Sequence, residues 1–289
     1  MLLTGCADLP PNPWWPTAAP APVAPTETPA PPAASNPDPS DENPLKLVVT
    51  SAADNRPTRL TRLDVVLTAL RVRVPRDQRA RAELMWNHLR EDVLDAATAL
   101  RLHRNGLRVG LGDEQWWDAI RATLDAIPDV RSSNVTPVRL PPDYPLALEL
   151  DSGPHEQTLF FAGEDGILTG ETWFQSRNVL RISWGLNLQH AERIRLMVVP
   201  EVRQRLEGLR WIRSGEDFVQ VPNYAGRAVA AAAFVTDLEP GKFLVIAPGE
   251  QAGVYGLVGN AFLVSEEDGR RYDSYVFLRA DVNHVVQRD

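Results

Sequence analysis

Thirteen of the chain's twenty-five prolines fall between Pro10 and Pro44, and this clustering restricts the fold more than any other feature. Proline has no backbone N–H to give to a helix interior or a sheet ladder. The same stretch holds almost nothing aliphatic to bury, and residues 1–45 carry Asp8, Glu27, Asp38, Asp41 and Glu42 without one Lys or Arg. Burial there cannot offset the entropy lost on ordering, so residues 7–44 are expected to be a disordered tether of polyproline II character. At ~3.1 Å per residue, such a tether reaches on the order of 100 Å when extended. Any core must come from the remaining 244 residues.

Those residues read as an α+β protein in two parts. The first, residues 45–140, is expected to be a small β-α-β-α unit. Val66, Leu70, Val72 and Val74 alternate with Arg71 and Arg73, which predicts a strand over 66–74 closed by Pro75. Ala82, Trp86, Leu89, Val93, Ala96 and Leu100 recur at spacings of three and four and predict a helix over 77–103, which Asn105-Gly106 terminates. A short strand over 107–111 follows. Asp113 is then expected to cap a second helix with Trp117, Ile120, Leu124 and Ile127 on its buried stripe, ending at Pro128.

From Pro145 the pattern turns to short alternating runs at 146–150, 158–161, 167–174, 179–188, 193–199, 209–212, 229–235, 243–247, 257–264 and 275–280. Glu164-Asp165-Gly166 and Glu267-Asp268-Gly269 have the composition of tight hairpin turns. Residues 145–289 are therefore expected to form an antiparallel β-rich sandwich or barrel-like unit, whose edge strands offer contact surfaces for β-augmentation. No internal repeat is visible.

Motifs that announce chemistry are scarce. Net charge is -8, of which -5 lies in the first 45 residues, so there is no basic footprint for nucleic acid. Only Lys46 and Lys242 are available for Schiff-base chemistry. A single cysteine excludes an internal disulfide framework and a cysteine-rich zinc site. The five histidines include no i,i+4 pair; His155-Glu156 starts like a zinc-protease motif, but Leu159 stands where the second histidine belongs, and His190 beside Glu192 is no better. Neither a G-x-S-x-G elbow nor an S-x-x-K pair occurs. Gly110-Leu111-Gly112 leads toward Asp113 but has Gln115 in place of a third glycine, and reads as a tight strand-to-helix turn. Glu171, Asp217 and Glu239 sit near expected strand ends and are the candidates for a carboxylate pair. Trp86, Trp116 or Trp117, Trp173, Trp184 and Trp211 read as core rather than as a sugar groove. No catalytic residue, metal site or cofactor is assigned, and the chain is read as non-enzymatic.

The first residues, Leu3-Thr4-Gly5-Cys6, resemble the lipobox of bacterial lipoproteins. The resemblance implies cleavage before Cys6 and acylation of that residue, with translation starting upstream of Met1 to supply the rest of the signal peptide. Two or three acyl chains hold a protein firmly on a bilayer. Ala7, rather than Asp, after the cysteine implies sorting to the outer membrane, facing the periplasm. Trp14 and Trp15 then come close enough to rest among headgroups, the alternative being a local turn contact.

A second resemblance covers residues 193–280. The runs RIRLMVVPEV at 193–202, LEPGKFLVI at 238–246 and YVFLR at 275–279 are similar in order to strands of the secretin module of bacterial secretion channels. Of the lip run of that family, GVYGLVGNAF at 253–262 keeps scattered Gly, Leu and Phe. This similarity implies self-association and protein partners in the cell envelope. The alternative is a surface-tethered hydrolase or glycan-binding protein.

Overall fold

The computed structural model describes residues 48–49, 58–139, 145–150, 153–187, 190, 193–214 and 217–286. It is an α+β structure dominated by antiparallel sheet. The eight-stranded first sheet contains β1 (Val48–Val49), β2 (Thr58–Pro75), β3 (Leu89–Arg90), β4 (Leu107–Asp113), β5 (Arg131–Arg139), β12 (Lys242–Pro248), β13 (Val264–Glu267) and β14 (Arg270–Val286). Its order is β1-β2-β14-β12-β4-β3, with β5 on β2 and β13 on β14. The second sheet has six strands: β6 (Leu146–Glu149), β7 (His155–Ala162), β8 (Leu168–Leu186), β9 (Ile194–Ser214), β10 (Asp217–Ala228) and β11 (Phe234–Leu238). Its order is β10-β9-β8-β6, with β11 on β9 and β7 on β8. The helices are α1 (Arg79–Ala82), α2 (Ala96–Arg104), α3 (Trp117–Asp125) and α4 (Val258–Leu263).

Strand alternation sorts side chains into two cores. On β2, Val65, Leu67 and Ala69 face the second sheet, whereas Val72 and Val74 face the layer of α1 and α3. On β14, Val276, Leu278 and Ala280 go one way and Tyr275 and Phe277 the other. The whole run 243–247 is buried because β12 has a core on each face. Leu102 of α2 and Val258, Phe262 and Leu263 of α4 enter the core between the sheets. Asn105, fully buried, ties the end of α2 to β7: its Nδ2 donates to Ala162 O and its Oδ1 accepts from Ala162 N, each at 2.9 Å.

The structure corrects several expectations. Strands from before and after residues 140–145 share the first sheet, because β2 pairs with β14 and β4 with β12. Local periodicity identifies a strand but not its partner, and these partners lie far away in sequence. The expected helix over 77–103 is broken. Leu89 and Arg90 leave it to pair with Gly112 and Leu111, and the Asp95 carboxylate accepts from Thr98 N at 2.9 Å to begin α2 anew. Asp113 makes no side-chain cap; it ends β4 and pairs with Lys242 Nζ at 3.3 Å. The run 257–264 is mostly helix α4 rather than strand, and 229–235 contains a 3-10 turn before β11. Four expected strands become two: 167–174 and 179–188 merge into β8, interrupted only at Gln175 with φ 47°, and 193–199 and 209–212 merge into β9. Strands β5 and β10 were not expected. At the Asp268-Gly269 hairpin, by contrast, both residues have the positive φ that its composition implies, 54° and 73°.

Candidate functional site

Leu3, Thr4, Gly5 and Cys6, with Trp14 and Trp15, lie outside the described residues. Two of the carboxylates considered for catalysis are engaged in separate ion pairs. Glu171 accepts from Arg227 at 2.6 Å, Glu239 pairs with Arg193 at 2.7 Å and Lys242 at 3.3 Å, and Asp217 begins β10. His88 stacks on Trp116 with ring centroids 5.0 Å apart, and His155 Nδ1 lies 3.3 Å from Gly153 O. Among the described residues no three His, Cys, Asp or Glu converge as a metal site, and no helix is long and apolar enough to cross a membrane. Gly110 and Gly112 lie within β4, not in a strand-to-helix turn. A Cβ there would strike the Trp86 and Phe243 rings, at 2.6 and 2.2 Å. These glycines make room for aromatic packing.

The three runs similar to the secretin module divide between the sheets. The first lies in β9 of the second sheet, and the others lie in β12 and β14, neighbours in the first sheet. The stretch 253–262 contains a turn and most of α4.

Two surface features stand out. The first is a ribbon formed by the far ends of β9 and β10. Strand β8 follows β9 only as far as the pair Ser176 and Gln204, so beyond that point β9 is paired with β10 alone. The register sets Trp211 opposite Gln220 and Arg213 opposite Phe218, which puts Leu209, Trp211 and Phe218 on one face. They are 55%, 62% and 64% exposed. The outer edge of β10 carries no further strand among the described residues. A two-stranded ribbon is marginally stable in water on its own, and clustered exposed apolar side chains mark a contact surface. Trp211 thus stands outside the core in which its strand pattern had placed it. The signal missed was the second half of the hairpin, where the strand-forming run Phe218-Val219-Gln220-Val221 follows a break at 214–217.

The second is a polar cleft of about 640 Å³ where the sheets part, walled by Arg71 and Arg73 of β2, the first residues of β7, and the chain through α4 and β13. Several of its lining residues are anchored by hydrogen bonds to buried side chains behind them. Gln157 Nε2 donates to Ser176 Oγ and Asn178 Oδ1, both at 2.9 Å, and Asn178 Nδ2 donates to Ala261 O at 2.9 Å. Arg71 donates to Leu150 O at 2.6 Å and to Ser274 Oγ at 2.9 Å. Arg73 and Arg131 both pair with Glu267.

On the opposite face of the first sheet lies a buried carboxylate, Asp273. Neither of its oxygens has a hydrogen-bond partner, although Arg79 Nη1 is 3.7 Å and Arg76 Nη1 4.0 Å away. Burial pushes this carboxyl above the usual carboxylate range against the pull of both arginines, and burial together with Asp273 pushes the neighbouring Tyr275 hydroxyl up. No family model, curated protein or solved structure matches the chain, so its surfaces are interpreted from their own chemistry.

Proposed function

We propose that the chain is a non-catalytic cell-envelope lipoprotein, acylated at Cys6 and tethered through residues 7–44. Its folded body acts as a structural or assembly component on the periplasmic side of the outer membrane, associated with secretion. The observation that carries this reading is the β9–β10 ribbon, whose free edge and exposed Leu209, Trp211 and Phe218 suit strand addition by a protein partner or another copy. The lipobox and the secretin-like order of segments in 193–280 support the placement.

The test is expression in a bacterial host from an upstream start, beside Cys6→Ser and Trp211→Ser/Phe218→Ser, with a photocrosslinking residue at Gln220 in each. The expected result is a lipid-sized mass on Cys6, membrane partition lost in Cys6→Ser, and a discrete crosslink lost in the ribbon variant. A wild-type chain that stays unmodified and soluble, or gives the same crosslinks with and without the two aromatics, overturns the reading.

A further inference from the structure

On the face turned away from the second sheet, the first sheet is only partly covered by α3 among the described residues. The first residue of that helix, Trp117, stands half-buried between two hollows. One, of about 220 Å³, is walled by Trp117, Phe243, Phe277 and Leu70, and the other, of about 240 Å³, by Trp117, Leu70, Val72, Leu124 and Val130. Trp117 meets Phe243 and Phe277 edge-on, with ring centroids 5.3 and 5.4 Å apart, so the wall between the hollows is held in place. An apolar cavity of ~150 Å³ already takes a benzene ring, so each hollow has room for an aromatic side chain.

The same chain has two such side chains to offer. Trp211 and Phe218 are diagonal neighbours on one face of the ribbon, about 7–8 Å apart, and both are exposed. Charge agrees with shape. At the rim of the first hollow Arg279 donates to Glu114 and to Asp281, each at 2.8 Å, so two carboxylates share one guanidinium and leave the rim net negative. On the ribbon, the position opposite Phe218 is Arg213, which puts a cation on the face of the two aromatics. These features cannot meet within one chain. The ribbon prolongs β9 of the second sheet, and Phe243 and Phe277 lie on the far side of the first sheet from it.

We propose that the hollows receive the ribbon of a second copy, with Phe218 entering beside Arg279 and Trp211 entering across Trp117. Ribbon and socket are different surfaces, so the contact is head-to-tail and each copy keeps one of each for the next. The inference rests on the reading of the ribbon as a contact surface and names its partner.

The test is sedimentation velocity of the full chain carrying Cys6→Ser over a concentration series, with thermal melts to verify folding of each further variant. Concentration-dependent oligomers are expected. Phe218→Ser, which removes the knob, and Thr68→Trp, which fills the first hollow, should each weaken association about thirtyfold, as loss of an interface hot spot does. Glu114→Lys, at an exposed rim position, should weaken it several-fold with the core untouched. Phe218→Ser mixed with Thr68→Trp should stop at a dimer, since only one knob and one socket remain. A photocrosslinking residue at Gln220 should mark residues 114–121 or 277–281 of the other copy. Oligomers indifferent to both Thr68→Trp and Glu114→Lys, or a crosslink from ribbon to ribbon or to another protein, overturn this inference and leave the ribbon as a contact surface. A chain that stays monomeric also overturns it, and the reading of the ribbon falls too only if Gln220 gives no crosslink in the bacterial host.

Discussion

Asp273 and Asp268 are five positions apart in the same charged stretch, and the fold treats them oppositely. Asp268 turns a hairpin in solvent, whereas Asp273 is sealed beneath Arg76 and Arg79 with both oxygens bare of hydrogen bonds. Nothing in the local sequence separates them, because what buries Asp273 is its pairing with Val74 on one side and Val264 on the other. Burial raises its folded-state pKa, so the native protein holds the proton more tightly than the unfolded chain does. That stabilisation is complete below the unfolded carboxylate pKa and is lost as pH rises through the folded value. Denaturant titrations across pH are therefore expected to show stability falling above the ordinary carboxylate range. Asp273→Asn, which keeps the shape without the charge, should flatten the profile and gain on the order of 1 kcal/mol near neutrality. A variant that retains the wild-type slope would assign the pH dependence to other groups.

Among the elements, α4 shows where periodicity is ambiguous. Residues 257–264 are apolar enough to be a buried strand, and a short apolar run cannot tell the two forms apart. What selects the helix is a tertiary contact: Gly259 N donates to Asn105 O at 2.8 Å, and a Cβ on Gly259 would stand 1.8 Å from Gly106 O. Gly259→Ala is accordingly expected to lift α4 from the end of α2 and cost ~3 kcal/mol in equilibrium unfolding, at the upper end of overpacking effects. A loss below about 0.5 kcal/mol would show that the backbone gives way. Elements marked by turn chemistry, such as the Asp268-Gly269 hairpin, were legible in the sequence, as was the apolar stripe of Ile120 and Leu124 in α3. The ribbon was not. Its Trp211 looks like any buried strand tryptophan until the pairing of β8 with β9 stops at Ser176 and Gln204 and leaves β9 running on with β10 alone. The cleft was equally hidden, since Arg71, Gln157 and Ser265 come from segments that only the fold assembles.

For the whole molecule, the decisive fact is that the first sheet draws strands from both ends of the body. Residues 145–289 alone contain β12 and β14 but neither β4 nor β2, their partners across the sheet. That fragment is expected to show no cooperative melting transition, whereas the full chain unfolds in one step with both cores lost together. A fragment that melts sharply by itself would restore two independent domains. The order of strands also carries a temporal meaning. Strand β14, at the end of the chain, lies between β2 and β12, so the centre of the first sheet stays open until Arg270–Val286 have left the ribosome. The second sheet is complete once Leu238 has emerged, but the apolar side chains of β2, β12 and β14 that share its core are brought together only by the last strand, so the nascent chain carries a half-covered core until its final residues arrive.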